Sequence, residues 1–221
     1  MKRFRAVLRV TECHWVVGRS LAGVRFGGLL VAALMIAACG RHWETLQPEG
    51  AGFVVSLPGT GRCQSAREET AWGGLAGRTC EVTRPTFSIP TGSGYASYSV
   101  SWFDLPAAVQ KEDEPALLSD LKARTQRGHL REFERNETLR QFSFRQEKTT
   151  ESAAELDGVA GLEHESVVVA DEPPHYRSIW RQRMCIYAGR LYQVGYVGSR
   201  DPSNDRDWAR VLRSFHFTSR E

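Results

Sequence analysis

Glu163-His164-Glu165 places three potential metal ligands side by side. A metal site needs its donors to converge on one point. Along an extended strand, successive side chains leave opposite faces, so Glu163 and Glu165 would share one face and His164 would take the other. The triplet then reads as part of a charge ladder whose partners are Arg181 and Arg183. His42, His129, His175 and His216 are scattered and show no H-x-x-x-H spacing. Ser119-x-x-Lys122 matches the S-x-x-K pattern of acyl-enzymes. The companion S-x-N and K-T-G elements are missing, because Lys148-Thr149-Thr150 lacks the glycine. Gly92-Ser93-Gly94 does not satisfy the G-x-S-x-G of a nucleophile elbow. No Gly-rich phosphate loop of either common kind occurs, so no nucleotide or cofactor is expected. Groups able to serve as nucleophile, base or ligand are dispersed, and the sequence predicts a chain that is not an enzyme.

The N-terminal segment carries a different chemistry. Lys2, Arg3, Arg5, Arg9, Arg19 and Arg25 precede Gly27 to Ala38, a twelve-residue run without charge. That run is too short for a spanning helix, which needs roughly 20 apolar residues, and it has the length of a signal-peptide core. It ends in Leu34-Met35-Ile36-Ala37-Ala38-Cys39-Gly40, with small residues immediately before the cysteine. This segment resembles a bacterial lipoprotein signal peptide with its lipobox. The resemblance implies removal of residues 1–38, acylation of Cys39, and a domain tethered to a membrane outside the cytoplasm. Gly40, where an aspartate would favour retention in the inner membrane, implies the outer membrane facing the periplasm. The competing reading is an uncleaved signal anchor with Cys39 as a buried small hydrophobe. Residues 39–48 are expected to be the lipidated end and a short tether, and 49–221 one globular domain.

Charge follows the leader. The full chain has 29 basic and 26 acidic residues among 221, with a formal net charge of +3. Six of the basic and one of the acidic residues lie before Cys39, so the remainder carries about −2. The basic balance therefore belongs to the leader and gives no support to a nucleic-acid partner. Of five cysteines, Cys13 leaves with the leader and Cys39 takes lipid, leaving Cys63, Cys80 and Cys185. An extracytoplasmic compartment permits disulfides. Cys63 and Cys80 flank a Gly-rich stretch, Gln64 to Thr79, read as a loop; bridging them would contribute about 3 kcal/mol by the chain-entropy argument. Cys185 would then be a lone thiol in a strand.

The elements that must position these groups are partly legible. Phe53 to Leu57 reads as a strand ended by Pro58-Gly59-Thr60-Gly61, and Gly77 to Thr83 as a second after a Trp72-Gly73-Gly74 loop. In Tyr95 to Phe103, Tyr98, Val100 and Trp102 alternate with Ser97, Ser99 and Ser101, the period of a half-buried strand. Glu112-Asp113-Glu114-Pro115 opens a helix with Leu117, Leu118, Leu121, Leu130 and Phe133 near one face. Leu162 to Ala170 and Tyr176 to Tyr187 flank a Pro-Pro loop. A symmetric hairpin there pairs Glu163 with Arg183, Glu165 with Arg181 and Val167 with Ile179. After Ala188-Gly189, the next hairpin sets Ile186 opposite Leu191 and Cys185 opposite Tyr192. Asn204 or Asp205 can cap a final helix, and Ser214 to Phe217 closes as a strand. Core packing accounts for most of the aromatics. Trp72, Tyr98, Trp102 and Trp180 are those that could line a groove, with Trp72 to Gly77 and Thr91 to Gly94 as its rims.

The order of Leu57-Pro58-Gly59, Leu156-Asp157-Gly158-Val159-Ala160-Gly161-Leu162-Glu163, Ala188-Gly189-Arg190-Leu191-Tyr192-Gln193-Val194 and Arg213-Ser214-Phe215 resembles the PsbP-like superfamily. That superfamily includes the Ran-binding Mog proteins and many bacterial lipoproteins. The resemblance implies an α+β fold, an antiparallel sheet flanked by helices as an α/β/α sandwich. It also implies an accessory or binding role, and no functional residue of the family maps onto a motif here. The expectation is a membrane-anchored, non-catalytic binding or assembly module, attached through its N-terminal lipid and working with another envelope protein. An envelope hydrolase with a dispersed site and a carrier of a small apolar ligand are the alternatives.

Overall fold

The computed structural model describes residues 42–86, 94–109, 111–135, 143–170, 177–199 and 201–218, with backbone alone at 86, 94, 112 and 125–135. Cys39 and the residues before it, the 91–93 part of the second glycine rim and residues 171–176 with His175 lie outside the described residues. In chain order the elements are β1 (Glu44–Leu46), β2 (Phe53–Leu57), β3 (Arg62–Thr70), β4 (Gly73–Thr86), β5 (Gly94–Asp104), α1 (Glu114–Arg135), β6 (Phe144–Leu156), β7 (Val159–Ala170), β8 (Arg177–Tyr187), β9 (Arg190–Gly198), α2 (Pro202–Ser214) and β10 (His216–Phe217). Glu44–Leu46 falls inside the stretch read as tether, yet it pairs with β2, so the folded domain begins closer to Cys39 than expected.

Seven strands form one antiparallel sheet in the order β3-β4-β5-β9-β8-β7-β6. A second, three-stranded sheet has the order β1-β2-β10. The β7–β8 register sets Glu163 opposite Arg183, Glu165 opposite Arg181 and Val167 opposite Ile179. The β8–β9 register sets Cys185 opposite Tyr192 and Ile186 opposite Leu191. Both registers are those the sequence predicts. Tight turns fix the β8–β9 register and that of β6 with β7. Asp157-Gly158 has φ of 50° and 76°, and Ala188-Gly189 has 49° and 74°. Two consecutive positive φ values make the two-residue hairpin turn whose twist matches that of the strands. Asp157 also ties in the C-terminus: its carboxylate accepts from the Phe217 amide at 2.8 Å and lies 3.0 Å from His216 Nδ1. The His216 bond, against a small burial penalty, holds the Asp157 carboxyl below its usual range.

Two apolar layers flank the large sheet. On one face, Val82, Tyr98, Val100, Trp102, Ile179, Cys185, Tyr192, Val194 and Tyr196 meet Phe53, Val55 and Leu57 of β2 and Trp208, Val211 and Phe215 at and after α2. On the other, Leu117 and Leu121 of α1 pack on Leu75, Phe103, Met184, Ile186 and Leu191. The first face is thus covered by a small sheet together with α2, and the second by a helix without a second sheet. The fold is β-rich and antiparallel, and it departs from the α/β/α sandwich the resemblance implied. Alternation in Phe53-Val54-Val55-Ser56-Leu57, buried at every second position, is what makes β2 a sheet layer of its own.

The supposed Gly-rich loop is a hairpin. β3 and β4 pair from Arg62↔Glu81 to Thr70↔Gly73, leaving Ala71-Trp72 as the turn. Cys63 and Cys80 sit opposite each other across it and are joined by a disulfide. β3 is an edge strand, exposed over Arg62 to Ser65, so it lacks the apolar alternation that announces a strand. The final helix is capped by Asp201, whose side chain accepts from the Ser203 amide at 2.6 Å, with Pro202 in the first turn. The predicted caps are otherwise engaged: Asn204 bonds Arg84, and Asp205 bonds Arg181. Ser214 ends the helix, and the closing strand is His216–Phe217 alone.

Candidate functional site

The face of the large sheet that carries α1 is apolar for only part of its extent. Beyond Leu75, Phe103 and Leu191 it turns polar, and a cavity of about 280 Å³ opens there between sheet and helix. Its walls come from five elements: Glu68 of β3, Ser99 and Ser101 of β5, Trp180 and Gln182 of β8, Gln193 and Gly195 of β9, and Arg124 of α1. Strand alternation puts these groups together. On β5 the buried Tyr98, Val100 and Trp102 face the other way, which sends the serines into this cavity. Gly195 keeps its floor open, because a β-carbon there would stand 2.6 Å from Ser99 Oγ.

Burial makes the site selective. Gln182 and Gln193 are 7% and 6% exposed. Among the described residues, Gln182 Oε1 has no hydrogen-bond partner, and Gln193 Nε2 reaches the Met184 sulfur at 4.0 Å. A buried amide oxygen without a partner costs roughly 1–3 kcal/mol, which a ligand donor would offset. Ser101 Oγ donates to Thr79 Oγ1 at 2.9 Å. Burial pushes the Glu68 carboxyl up; the Arg124 guanidinium opposes that rise, while Glu69 and Asp120 add to it. Arg124 Nε is committed to Asp120 Oδ2 at 2.8 Å, and the same oxygen accepts from the Ala71 amide at 2.9 Å. The cavity therefore offers amides, hydroxyls, one carboxyl and an indole, with its guanidinium already neutralised. That set suits an uncharged ligand rich in hydroxyl or amide groups, and a pocket of this size lies at the small end of ligand sites.

The residues read from sequence are distributed differently. Tyr98 and Trp102 cannot line a groove: they are 0% and 5% exposed, in the core on the opposite face. Trp72 sits in the β3–β4 turn against the layer beneath α1. Its neighbours Gly73 to Gly77 are paired strand residues, not a mobile rim. Trp180 alone of the four lines the cavity. Ser119 is exposed while Lys122 bonds Glu151, so the S-x-x-K pair forms no dyad. Among the described residues, no three of His, Cys, Asp and Glu are grouped as metal donors. Cys185 is buried, and burial pushes its thiol up to about 12, which leaves it unreactive at neutral pH. No sequence motif marks the cavity, because its residues come from five segments spread over more than a hundred positions. Its one local signal was the Ser97-Ser99-Ser101 alternation, which shows that a second, polar face exists.

The Glu163-His164-Glu165 triplet divides as its strand demands. Glu163 accepts from Arg183 Nε at 2.7 Å and Glu165 from Arg181 Nε at 2.7 Å, while His164 leaves the opposite face and is fully buried. Burial and the Lys122 ammonium hold the imidazole pKa below 6.5, against the opposing pull of Glu151, the Thr150 backbone and Glu165. The unfolded chain then takes up this proton more readily than the folded one. Stability should be complete above about pH 6.5 and fall as pH drops through it. Urea midpoints at pH 7.5 and pH 5.5 should differ more for the native chain than for His164→Leu; equal slopes would contradict the assignment.

No family model matches the chain, and no curated protein matches it. Among solved structures, it is similar to cyanobacterial PsbP (CyanoP) from Synechocystis sp. PCC 6803, at 11% identity over 80% of this chain and 93% of that one, with a TM-score of 0.46. It is also similar to LpqN, involved in cell envelope biogenesis of Mycobacterium tuberculosis, at 10% identity over 85% of this chain and 96% of that one, with a TM-score of 0.41. At TM-scores under 0.5 these likenesses decide neither the family nor the role of this chain.

Proposed function

We propose that this protein is a lipid-anchored, non-catalytic binding module of the cell envelope, with the sheet–helix cavity as its ligand site. The observation that carries the binding role is the pair of nearly buried glutamine amides in a polar cavity that holds no paired nucleophile and base among the described residues. The serine, glutamine, glutamate and arginine side chains in the lining speak against a purely apolar ligand. The anchoring half rests on the basic, apolar and small-residue pattern ending at Cys39, and Gly40 supports the outer membrane facing the periplasm.

Each half has its own test. Intact-mass analysis of protein extracted from bacterial envelopes should show loss of residues 1–38 and an acyl mass on Cys39; an unprocessed leader would overturn the anchor. Native mass spectrometry of the same material should show a small-molecule adduct that disappears in Ser99→Trp, whose indole fills the cavity. A wild-type protein with no adduct would overturn the ligand site.

A further inference from the structure

We infer that the outward face of α2, together with Trp43, is the surface this domain lays against an anionic membrane. Arg206, Arg210 and Arg213 recur at i, i+4 and i+7, which stacks them in one stripe along the helix. All three are exposed, while Asn204, Asp207, Trp208 and Val211 are buried. The helix's acids are engaged elsewhere: Asp207 with Arg84 and Asp205 with Arg181. None of the three stripe arginines has a carboxylate partner among the described residues, so the stripe presents three uncompensated positive charges. The remainder of the chain after Cys39 is slightly acidic, so this basicity is local.

Trp43 extends the stripe with an interfacial aromatic. The Arg210 guanidinium lies 3.9 Å from its ring centroid, and Trp43, Arg206, Arg210 and Arg213 frame, with Ala209 and the Arg84-paired Asp207, an open concavity of about 500 Å³. Arginine and half-buried tryptophan together suit the headgroup layer of a bilayer. Position selects that occupant. Trp43 stands four residues after Cys39, and four extended residues reach about 14 Å at most. An acyl chain on Cys39 would therefore hold this face, and no distant one, beside the headgroups. This step rests on the anchoring reading above. The anchor would supply attachment and the stripe orientation, two signals acting on one surface.

The acylated protein, purified from envelopes and reconstituted into vesicles, tests this directly. Phenylglyoxal modification of Arg206, Arg210 and Arg213, read peptide by peptide, should slow at least tenfold on vesicles containing 30 mol% phosphatidylglycerol relative to pure phosphatidylcholine. The exposed Arg67 should keep its rate, and 0.5 M salt should restore the stripe's rate. Three arginines near an anionic surface favour the docked orientation by about a hundredfold at low ionic strength. R206E/R210E/R213E should accordingly lose the lipid-dependent protection of Trp43 against oxidation. Equal rates on neutral and anionic vesicles, with the acyl mass still present, would overturn the orientation and leave the anchor intact. Protection seen only in whole envelopes and absent from both kinds of vesicle would overturn it in favour of an acidic protein partner.

Discussion

Phe53→Ala should lower the unfolding free energy by about 3–5 kcal/mol. The ring is 1% exposed and joins the small sheet to the large one. It stacks on Phe215 with centroids 5.1 Å apart and meets Trp102 edge-on at 5.3 Å and Tyr192 at 6.0 Å. Each such pair adds roughly 0.5–1.5 kcal/mol beyond the area it buries. Its backbone pairs with Phe217, so the strand cannot shift to fill the gap without losing β10. Domains of this size are stable by only about 5–15 kcal/mol, and the variant should unfold at a far lower urea concentration. A loss below about 1 kcal/mol would mean that the small sheet does not pack through this ring.

Arg181→Met should cost a comparable amount, about 3–5 kcal/mol, for an electrostatic reason. The Arg181 side chain is 11% exposed and Glu165 16%. Burial works against the Arg181 charge, yet the bonds it donates to Glu165 at 2.7 Å and Asp205 at 2.6 Å outweigh that and raise its pKa. Removing the guanidinium takes from the nearly buried Glu165 carboxylate its 2.7 Å cationic partner and removes the Asp205 tie between α2 and β8. The double variant Arg181→Met with Glu165→Leu should recover much of the loss, since both charges then leave together. Chemical denaturation of the two single variants, the double and the parent gives the coupling energy. A double variant less stable than Arg181→Met alone would refute the account.

The parts of the fold legible in sequence are those where two independent signals agree. In the β7–β8 hairpin, opposite charges and matched apolar residues both require one register, and the structure has it. β5 announced itself by strict alternation, though alternation alone does not say which face meets the core. The large aromatics go inward to meet β2 and α2, and the serines form the cavity wall, so Tyr98 and Trp102 lie on the side away from the cavity. β3 was missed because an edge strand with mostly exposed side chains needs no apolar period. The Asp201 cap was missed because Asn204 and Asp205 have the right chemistry but are used by arginines from other strands. Long-range pairing chose among equivalent local signals.

The two ends of the large sheet carry a consequence for how many copies can share a surface. β3 exposes Arg62, Arg67 and Glu69 along its outer margin, and the disulfide staples it to its neighbour. β6 exposes Arg145, Glu147, Lys148, Glu151 and Glu155 and is broken by a bulge between Gln146 and Lys148. Charges and bulges on a terminal strand discourage strand addition from another chain. Chains crowded into two dimensions by a common anchor would collide edge-first far more often than in free solution. These margins would let such collisions end without self-association into a continuous ribbon.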